Sequence, residues 1–269
     1  GAIAQSIAPK YFSRQLFVDV SELIKQDAKS GIQRVVKCIL TEWLYNPPEG
    51  LRIEPVYAKE EKEGYYYARN FTLDFLKCPS NILSDELIEY HSGDIFLGLD
   101  FQPQIVPSQR NFYQKLRNDG VLVQFVIYDL LCISMPKHFL EGAFEIHNRW
   151  LKEIVENDTV ICISETVANE FKTLLKSFSP KRLLPLNVSS FHLGADINID
   201  KTTQEISTSF SKILKAVQSG TSFIMVGTIE PRKGHAQTLA AFEQLWADGE
   251  NINLVVVGKQ GWMVEKIIK

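Results

Sequence analysis

The sequence predicts an α/β protein whose strands lie in parallel sheets, and three observations carry that expectation. Short apolar runs alternate with segments of helical periodicity along most of the chain. The runs are nearly continuous in apolar residues, as in "VLVQFVIYD" (121–129) and "INLVVVG" (252–258), which is the pattern of strands covered on both faces. Many of these runs stop at a glycine, aspartate or serine that leads toward a helical segment. With 269 residues the chain fits two domains of ordinary size, although one large domain is also compatible with that length.

The first unit is strand, helix, strand. "LFVDV" (16–20) reads as a buried strand and "SELIKQDAKSG" as the loop after it. Ile32, Val35, Val36, Ile39, Leu40, Trp43 and Leu44 then recur at helical spacing, with Ser30 placed to cap the helix and "NPPEG" to end it. "LRIEPVYA" (51–58) returns as a strand. The pattern continues through "DIFLGLD" (94–100), a helix near 105–118, the strand 121–129, a helix near 140–156, and "DTVICIS" (158–164). Ser164 and Glu165 open the amphipathic "ETVANEFKTLL", and "RLLPLNVSSFHLGAD" supplies a further strand ending in a glycine turn.

The polar stretch 197–212 dilutes the apolar pattern and marks the expected boundary. It divides a first domain, 1–200, from the start of a second, 201–269. The second begins with strand "SFIMVG", continues through helix "AQTLAAFEQLWADG" and strand "INLVVVG", and opens another helix at "WMVEKI". Two strands are fewer than a doubly wound sheet needs, so this domain is expected to be incomplete in the sequence given.

Composition narrows the function. Hydrophobic residues at 45% and charged residues at 23% are the balance of a globular protein. Lysine and arginine number 29 against 32 acidic residues, so no overall basic field draws the chain to nucleic acid. Cys38, Cys78, Cys132 and Cys162 stand far apart without ligand spacing, which points to reduced, mostly buried thiols rather than to zinc or a disulfide framework. No apolar stretch reaches the roughly 20 residues of a membrane-spanning helix, and the cytoplasm is the expected location.

In an open parallel sheet, ligands bind at the carboxyl ends of the strands, where helix N-termini present free amides. "VGTIEPRKGH" (226–235) lies at such an end. It is neither a Walker A loop nor GxGxxG, so ATP hydrolysis and ordinary dinucleotide binding lose their usual signatures. Arg232 offers a planar fork of donors and Lys233 a mobile point charge, a pair suited to a diphosphate. The same residues also fit a solvated turn punctuated by Pro231 and Gly234.

"FIMVGTIEPRKGHAQTLAAFEQL" followed by "LVVVGKQGW" resembles the opening of the C-terminal domain in retaining, nucleotide-sugar-dependent glycosyltransferases of the group 1 (family 4) type. "DVSELIKQDAKSGIQRVV", "VIYDLLCISMPKHF", "CISETVANEF" and "FHLGAD" resemble, in order, segments of bacterial members that build mannose-containing polysaccharides such as O-antigens. The resemblance covers nearly all of the chain after residue 15. It implies two Rossmann-like domains of the GT-B type, the second incomplete here, closing over a nucleotide-sugar donor.

The resemblance also implies roles. Arg232 and Lys233 would hold the donor diphosphate and stabilise it as it departs, without a metal, in agreement with the absence of a DxD triplet. Gly227 ends the strand before them, and Lys259 follows the next strand, facing the nucleotide. Gly31 corresponds to a glycine loop whose backbone approaches the donor phosphate, with Arg34 one turn further on. Asp129 would contact sugar hydroxyls or orient the acceptor. Many relatives carry His-Asp at the place of 128–129, whereas here Tyr128 replaces the histidine. Ser164 with Glu165 reads as a helix start, and His192 and Gly194 as hinge and packing elements.

The expected donor is GDP-mannose, with rhamnose or glucose-type donors next, and the expected acceptor a polysaccharide or lipid-linked glycan reached at the inner face of the cell membrane. No separate cofactor is implied. The resemblance also implies an acidic motif, two glutamates separated by seven residues, further on in the second domain than Lys269, so this stretch alone is expected to lack some donor contacts. Two readings stay beside transfer: a noncatalytic scaffold or partner subunit of the same fold, and a nucleotide-sugar epimerase.

Overall fold

The computed structural model describes residues 13–60, 62–79, 82–178, 180, 182, 184–194, 214–215, 217–218 and 220–268. These form two compact units. The first holds the described residues up to 130 together with 145–194; the second holds 131–144 and the described residues from 214 onward. The polar stretch 197–212 and the predicted 200/201 boundary lie outside the described residues.

The first unit is a seven-stranded sheet: β1 (Arg14–Asp19), β2 (Leu51–Lys59), β3 (Lys62–Tyr67), β4 (Ile95–Gly98), β5 (Leu122–Ile127), β6 (Thr159–Cys162) and β7 (Asn187–Ser190), in the spatial order β3-β2-β1-β4-β5-β6-β7. Every pairing is parallel except β2 with β3. Leu16 of β1 stands opposite Ile53 on one side and Ile95 on the other. Phe17, Val18, Phe96, Val123, Ile127, Val160 and Cys162 are fully buried, as the unbroken apolar runs require. Order reverses at β1. The chain leaves it for β2 and β3, then crosses back to β4, which opens a crevice between the carboxyl ends of β1 and β4.

The helices follow the expected periodicity. The short α1 (Ser21–Lys25) occupies part of the predicted loop. In α2 (Gly31–Tyr45), Val36 and Leu40 are buried while Ile32, Val35, Ile39, Trp43 and Leu44 pack half-buried against the same cluster. Ser30 caps it in a capping box: its Oγ accepts from the Gln33 amide at 3.2 Å, and its own amide donates to Gln33 Oε1. Then come α3 (Arg69–Phe75), α4 (Ile105–Ser108), α5 (Arg110–Asn118), α6 (Leu131–Ser134), α7 (Ala143–Ile154) and α8 (Glu165–Leu175).

Three expectations change. The antiparallel edge strand β3, "KEGYYY", is not legible as an apolar run because its buried residues are Gly64 and the tyrosines Tyr65 and Tyr67, which flank Tyr66. The helix near 105–118 is two helices, broken at Gln109. That side chain is fully buried and is used elsewhere: its Oε1 accepts from the Gly64 amide at 2.7 Å and its Nε2 donates to the Lys62 carbonyl at 2.8 Å, stitching the break to β3. All four cysteines are free, but only Cys132 and Cys162 are buried; Cys38 and Cys78 are exposed.

The second unit holds β8 (Thr221–Val226) and β9 (Ile252–Val257), parallel and joined through α9 (His235–Ala247), followed by α10 (Glu265–Ile268). Phe242 of α9 packs edge-on against Phe223 and Trp246. The 131–144 segment is tied to this unit by Trp262, whose Nε1 donates to the His138 carbonyl at 2.9 Å and whose ring lies 5.9 Å from that of Phe139.

Close packing between β4 and β5 gives a testable consequence. A Cβ added at Gly98 would stand 2.3 Å from Phe125 Cδ1, and the Phe125 ring is itself confined, with Phe96 and Tyr113 beside it. Gly98→Ala is expected to destabilise the fold by about 1–3 kcal/mol, the usual cost of overpacking. Chemical denaturation with a change in midpoint and an unchanged slope would register it.

Candidate functional site

Parallel pairing gathers the chemistry of each unit at the carboxyl ends of its strands. In the second unit, β8 runs into Gly227, whose φ of +148° is open to glycine and few other residues. The next residues cross the loop after β9. The Gly227 amide donates to the Val257 carbonyl, the Ile229 amide to the Lys259 carbonyl and the Gly261 amide to the Ile229 carbonyl, each at 2.9 Å. The approach is too close for side chains: a Cβ at Gly258 would stand 1.8 Å from the Gly227 oxygen, and one at Gly261 would stand 2.6 Å from that of Ile229.

From this laced base Pro231–Lys233 makes one turn of 3₁₀ helix, Gly234 takes a left-handed conformation (φ +76°, ψ +18°), and α9 begins at His235. No side chain caps α9. Its first amides are therefore open donors at the positive end of a helix thirteen residues long. Lys233 and Lys259 are exposed, and Arg232 is partly exposed. The structure thus brings four of the predicted residues, Gly227, Arg232, Lys233 and Lys259, to one end of one small sheet. Three further features of this loop were not anticipated. Glu230 is 2% exposed, and its Oε1 lies 2.8 Å from Arg232 Nη2. Arg232 Nε is buried without a hydrogen-bond partner, as are both ring nitrogens of the buried His235.

In the first unit Gly31 is the first residue of α2, directly behind its Ser30 cap. A Cβ there would meet nothing within 4 Å, so the packing of the chain itself makes no demand for glycine. Arg34 is exposed on the same helix. Asp129 follows β5 and is exposed. Its neighbour Tyr128 points inward: it is 7% exposed and its hydroxyl donates to the Leu99 carbonyl at 2.8 Å, which ties β5 to the end of β4. Tyr128 is therefore a packed side chain whose phenol, through burial, is held above its usual pKa. Ser164 caps α8, accepting from the Val167 amide at 3.2 Å. His192 and Gly194 are exposed.

The strand-end rule that selects Asp129 also selects Asp19 and Asp100, which the sequence reading passed over. They close β1 and β4 at the reversal of strand order. Asp19 is fully buried and accepts from the Ser21 amide (2.9 Å), the Ser21 hydroxyl (2.5 Å) and the Tyr65 hydroxyl (3.0 Å), and Tyr65 in turn bonds Tyr113 at 2.7 Å. Asp100 accepts from the amides of Leu23 (2.8 Å) and Phe101 (2.9 Å). Burial pushes Asp19 up to about 6 against these bonds. Burial, with the Asp19 charge nearby, pushes Asp100 up to about 7. Beside them Phe101, His147 and Trp150 form an aromatic cluster with centroids 5.1–5.4 Å apart. His147 is buried, its pKa lowered by that burial against the opposing pull of Asp129, and its Nε2 has no partner.

Comparison with known proteins bears on the loop directly. Residues 207–269 match the family model described as Glycosyl transferases group 1. The chain is also similar to serotype-specific mannosyltransferases WbdA of Escherichia coli, at 38% identity over 263 residues in one case and 36% in another, covering 96% of this chain. It spans about a third of the length of these curated relatives, 32% and 31%. No solved structure matches it significantly. The recognition made from the quoted motifs, and the α/β fold with a mostly parallel sheet, stand on these findings. Among the described residues no helix is long and apolar enough to cross a membrane, and no three His, Cys, Asp or Glu side chains cluster as ligands.

The two raised carboxyls make stability depend on pH. Each binds its proton more tightly in the folded chain than in the unfolded one, where an aspartate titrates near 3.9, so the folded state is favoured at low pH and loses ground as pH rises from about 4 to about 7. Taken singly, each carboxyl should account for a loss on the order of 3–4 kcal/mol, read from denaturation midpoints across that range. Asp100→Asn, which surrenders one of two accepted amide bonds, should be less stable at pH 5 and show a shallower fall up to pH 8.

Proposed function

We propose that the protein containing this chain is a glycosyltransferase that moves a hexose from a nucleotide-sugar donor to a glycan acceptor, and that residues 227–234 with Lys259 bind the donor diphosphate. The observation that carries this is the loop at the end of β8. A left-handed glycine releases an uncapped helix N-terminus beside an arginine and two lysines, in the segment that matches Glycosyl transferases group 1. Open amides and preorganised cations are what a departing diphosphate needs, because breaking the glycosidic bond moves negative charge onto its phosphate oxygens. Side chains placed there beforehand stabilise that charge without reorganising and without a divalent ion.

Mannose carried by GDP is the donor we favour, on the strength of the similarity to mannosyltransferases, with retention at the anomeric carbon through front-face departure of the leaving group. The acceptor is a growing cell-surface polysaccharide or lipid-linked glycan, in keeping with the serotype-specific relatives, handled at the cytoplasmic face of the membrane. In the first unit Asp129, exposed at the end of β5, is the carboxylate we assign to sugar hydroxyls or the acceptor. Gly31 lies at the N-terminus of α2, where the absence of a Cβ would serve a ligand rather than the packing of the chain.

Isothermal titration with GDP, UDP and dTDP tests the loop. Arg232→Ala and Lys233→Ala should each weaken binding of the preferred nucleoside diphosphate by roughly 1.5–3 kcal/mol, the scale of a lost charge-assisted hydrogen bond; thermal unfolding should be unchanged in Lys233→Ala and lowered in Arg232→Ala, which leaves the buried Glu230 carboxylate unpaired. Equal affinity in parent and variants would remove the phosphate role. Sugar transfer from GDP-mannose with retained configuration, followed by NMR of the product, tests the donor and the stereochemistry together.

A further inference from the structure

Glu230 is the only acidic residue between Gly227 and His235, and nothing about an exposed cationic loop calls for one. It is nevertheless more deeply buried than either cation, with 2% of its side chain exposed against 25% for Arg232. Sinking a carboxylate costs desolvation energy that a single ion pair rarely returns as stability, so its worth is better sought in geometry. The partner supplies that geometry. Arg232 Nη2 lies 2.8 Å from Glu230 Oε1, and Pro231, between the two residues, fixes the backbone torsion that sets their spacing.

An arginine side chain is rich in rotamers, and a planar fork binds phosphate well only when its plane is already set. Here one nitrogen is held by a buried acid. The adjacent Nε is buried and has no acceptor, an arrangement that a solvated surface arginine would relax by turning outward. The base beneath is equally fixed, since Glu230 follows Ile229, which is bonded on both sides to the loop after β9. His235, 4% exposed with both ring nitrogens unpartnered, adds a second unsatisfied polar group at the foot of the same turn.

We infer that Glu230 is a positioning residue: it clamps the Arg232 guanidinium by Nη2 so that the rest of the fork is presented to the donor diphosphate. This rests on the diphosphate role of the loop. Glu230 itself touches no phosphate. Its contribution passes entirely through Arg232, and Lys233, which is exposed, is independent of it.

A mutant cycle separates the two assignments. GDP and UDP are titrated into the full chain as parent, Glu230→Gln, Arg232→Ala, Lys233→Ala, and the pairs Glu230→Gln/Arg232→Ala and Glu230→Gln/Lys233→Ala. Glu230→Gln keeps the shape of the acid and removes its charge, so binding should weaken about 3–10-fold. In the Arg232→Ala background the same change should have no further effect, whereas in the Lys233→Ala background it should cost its full factor. A generally loosened loop would not make that distinction. An equal effect of Glu230→Gln in all backgrounds, or tighter binding by Glu230→Gln, overturns the clamp and leaves the diphosphate loop standing. Unchanged affinity in Arg232→Ala, or no nucleoside diphosphate bound by the parent at millimolar concentration, overturns both.

Discussion

Parallel pairing is the constraint on which the rest of this structure depends. Strands β1, β2, β4, β5, β6 and β7 all run the same way, so every connection between parallel neighbours must cross the sheet, and helices serve as crossovers. One edge of the sheet therefore collects strand ends and the other their beginnings. The edge with the strand ends also collects helix N-termini such as that of α2. Charge and polarity gather there because the interior of the sheet is filled by Phe17, Phe96 and Val160 and leaves no room for them.

The cost of that arrangement is visible at Asp19 and Asp100. Both carboxyls sit where two strands diverge, both are buried, and each accepts hydrogen bonds from neighbouring backbone amides. Their protons are held well above the ordinary aspartate range, which means the fold pays desolvation at neutral pH to keep two acids at the reversal of strand order. Tyr65 and Tyr113 extend this bonded network to the β3 edge, so the antiparallel strand and the crevice are held by one set of bonds.

The second unit solves a similar problem with backbone alone. Two loops, after β8 and after β9, approach each other until only glycine fits, and their amides exchange hydrogen bonds. The result is a firm floor under Glu230, Arg232 and Lys233. Flexible side chains presented from a rigid turn lose less entropy on meeting a charged ligand than the same side chains on a mobile loop.

Much of this was legible in the sequence. Periodicity alone marks α2, α8 and α9, and continuous apolar runs mark β1, β4, β5, β6, β8 and β9, because burial on both faces leaves few polar options. The resemblance and the loop residues Gly227, Arg232, Lys233 and Lys259 could likewise be named from their order, since a strand end and a following helix are local features. What order could not supply was contact between residues far apart in the chain. The break at Gln109 depends on backbone groups of residues 62 and 64, and β3 on an edge that only assembly of the sheet creates. Asp19 and Asp100 meet across 81 positions, their backbones joined by a 3.2 Å bond from the Asp100 amide to the Asp19 carbonyl. Even Glu230, two residues from Arg232, declared its role only through burial, which is set by everything packed around it. The sequence by itself determined the order of strands and helices and the chemical character of their ends; the tertiary structure decided which of those ends are buried, paired and held in place, because desolvation and hydrogen bonding are properties of the assembled neighbourhood.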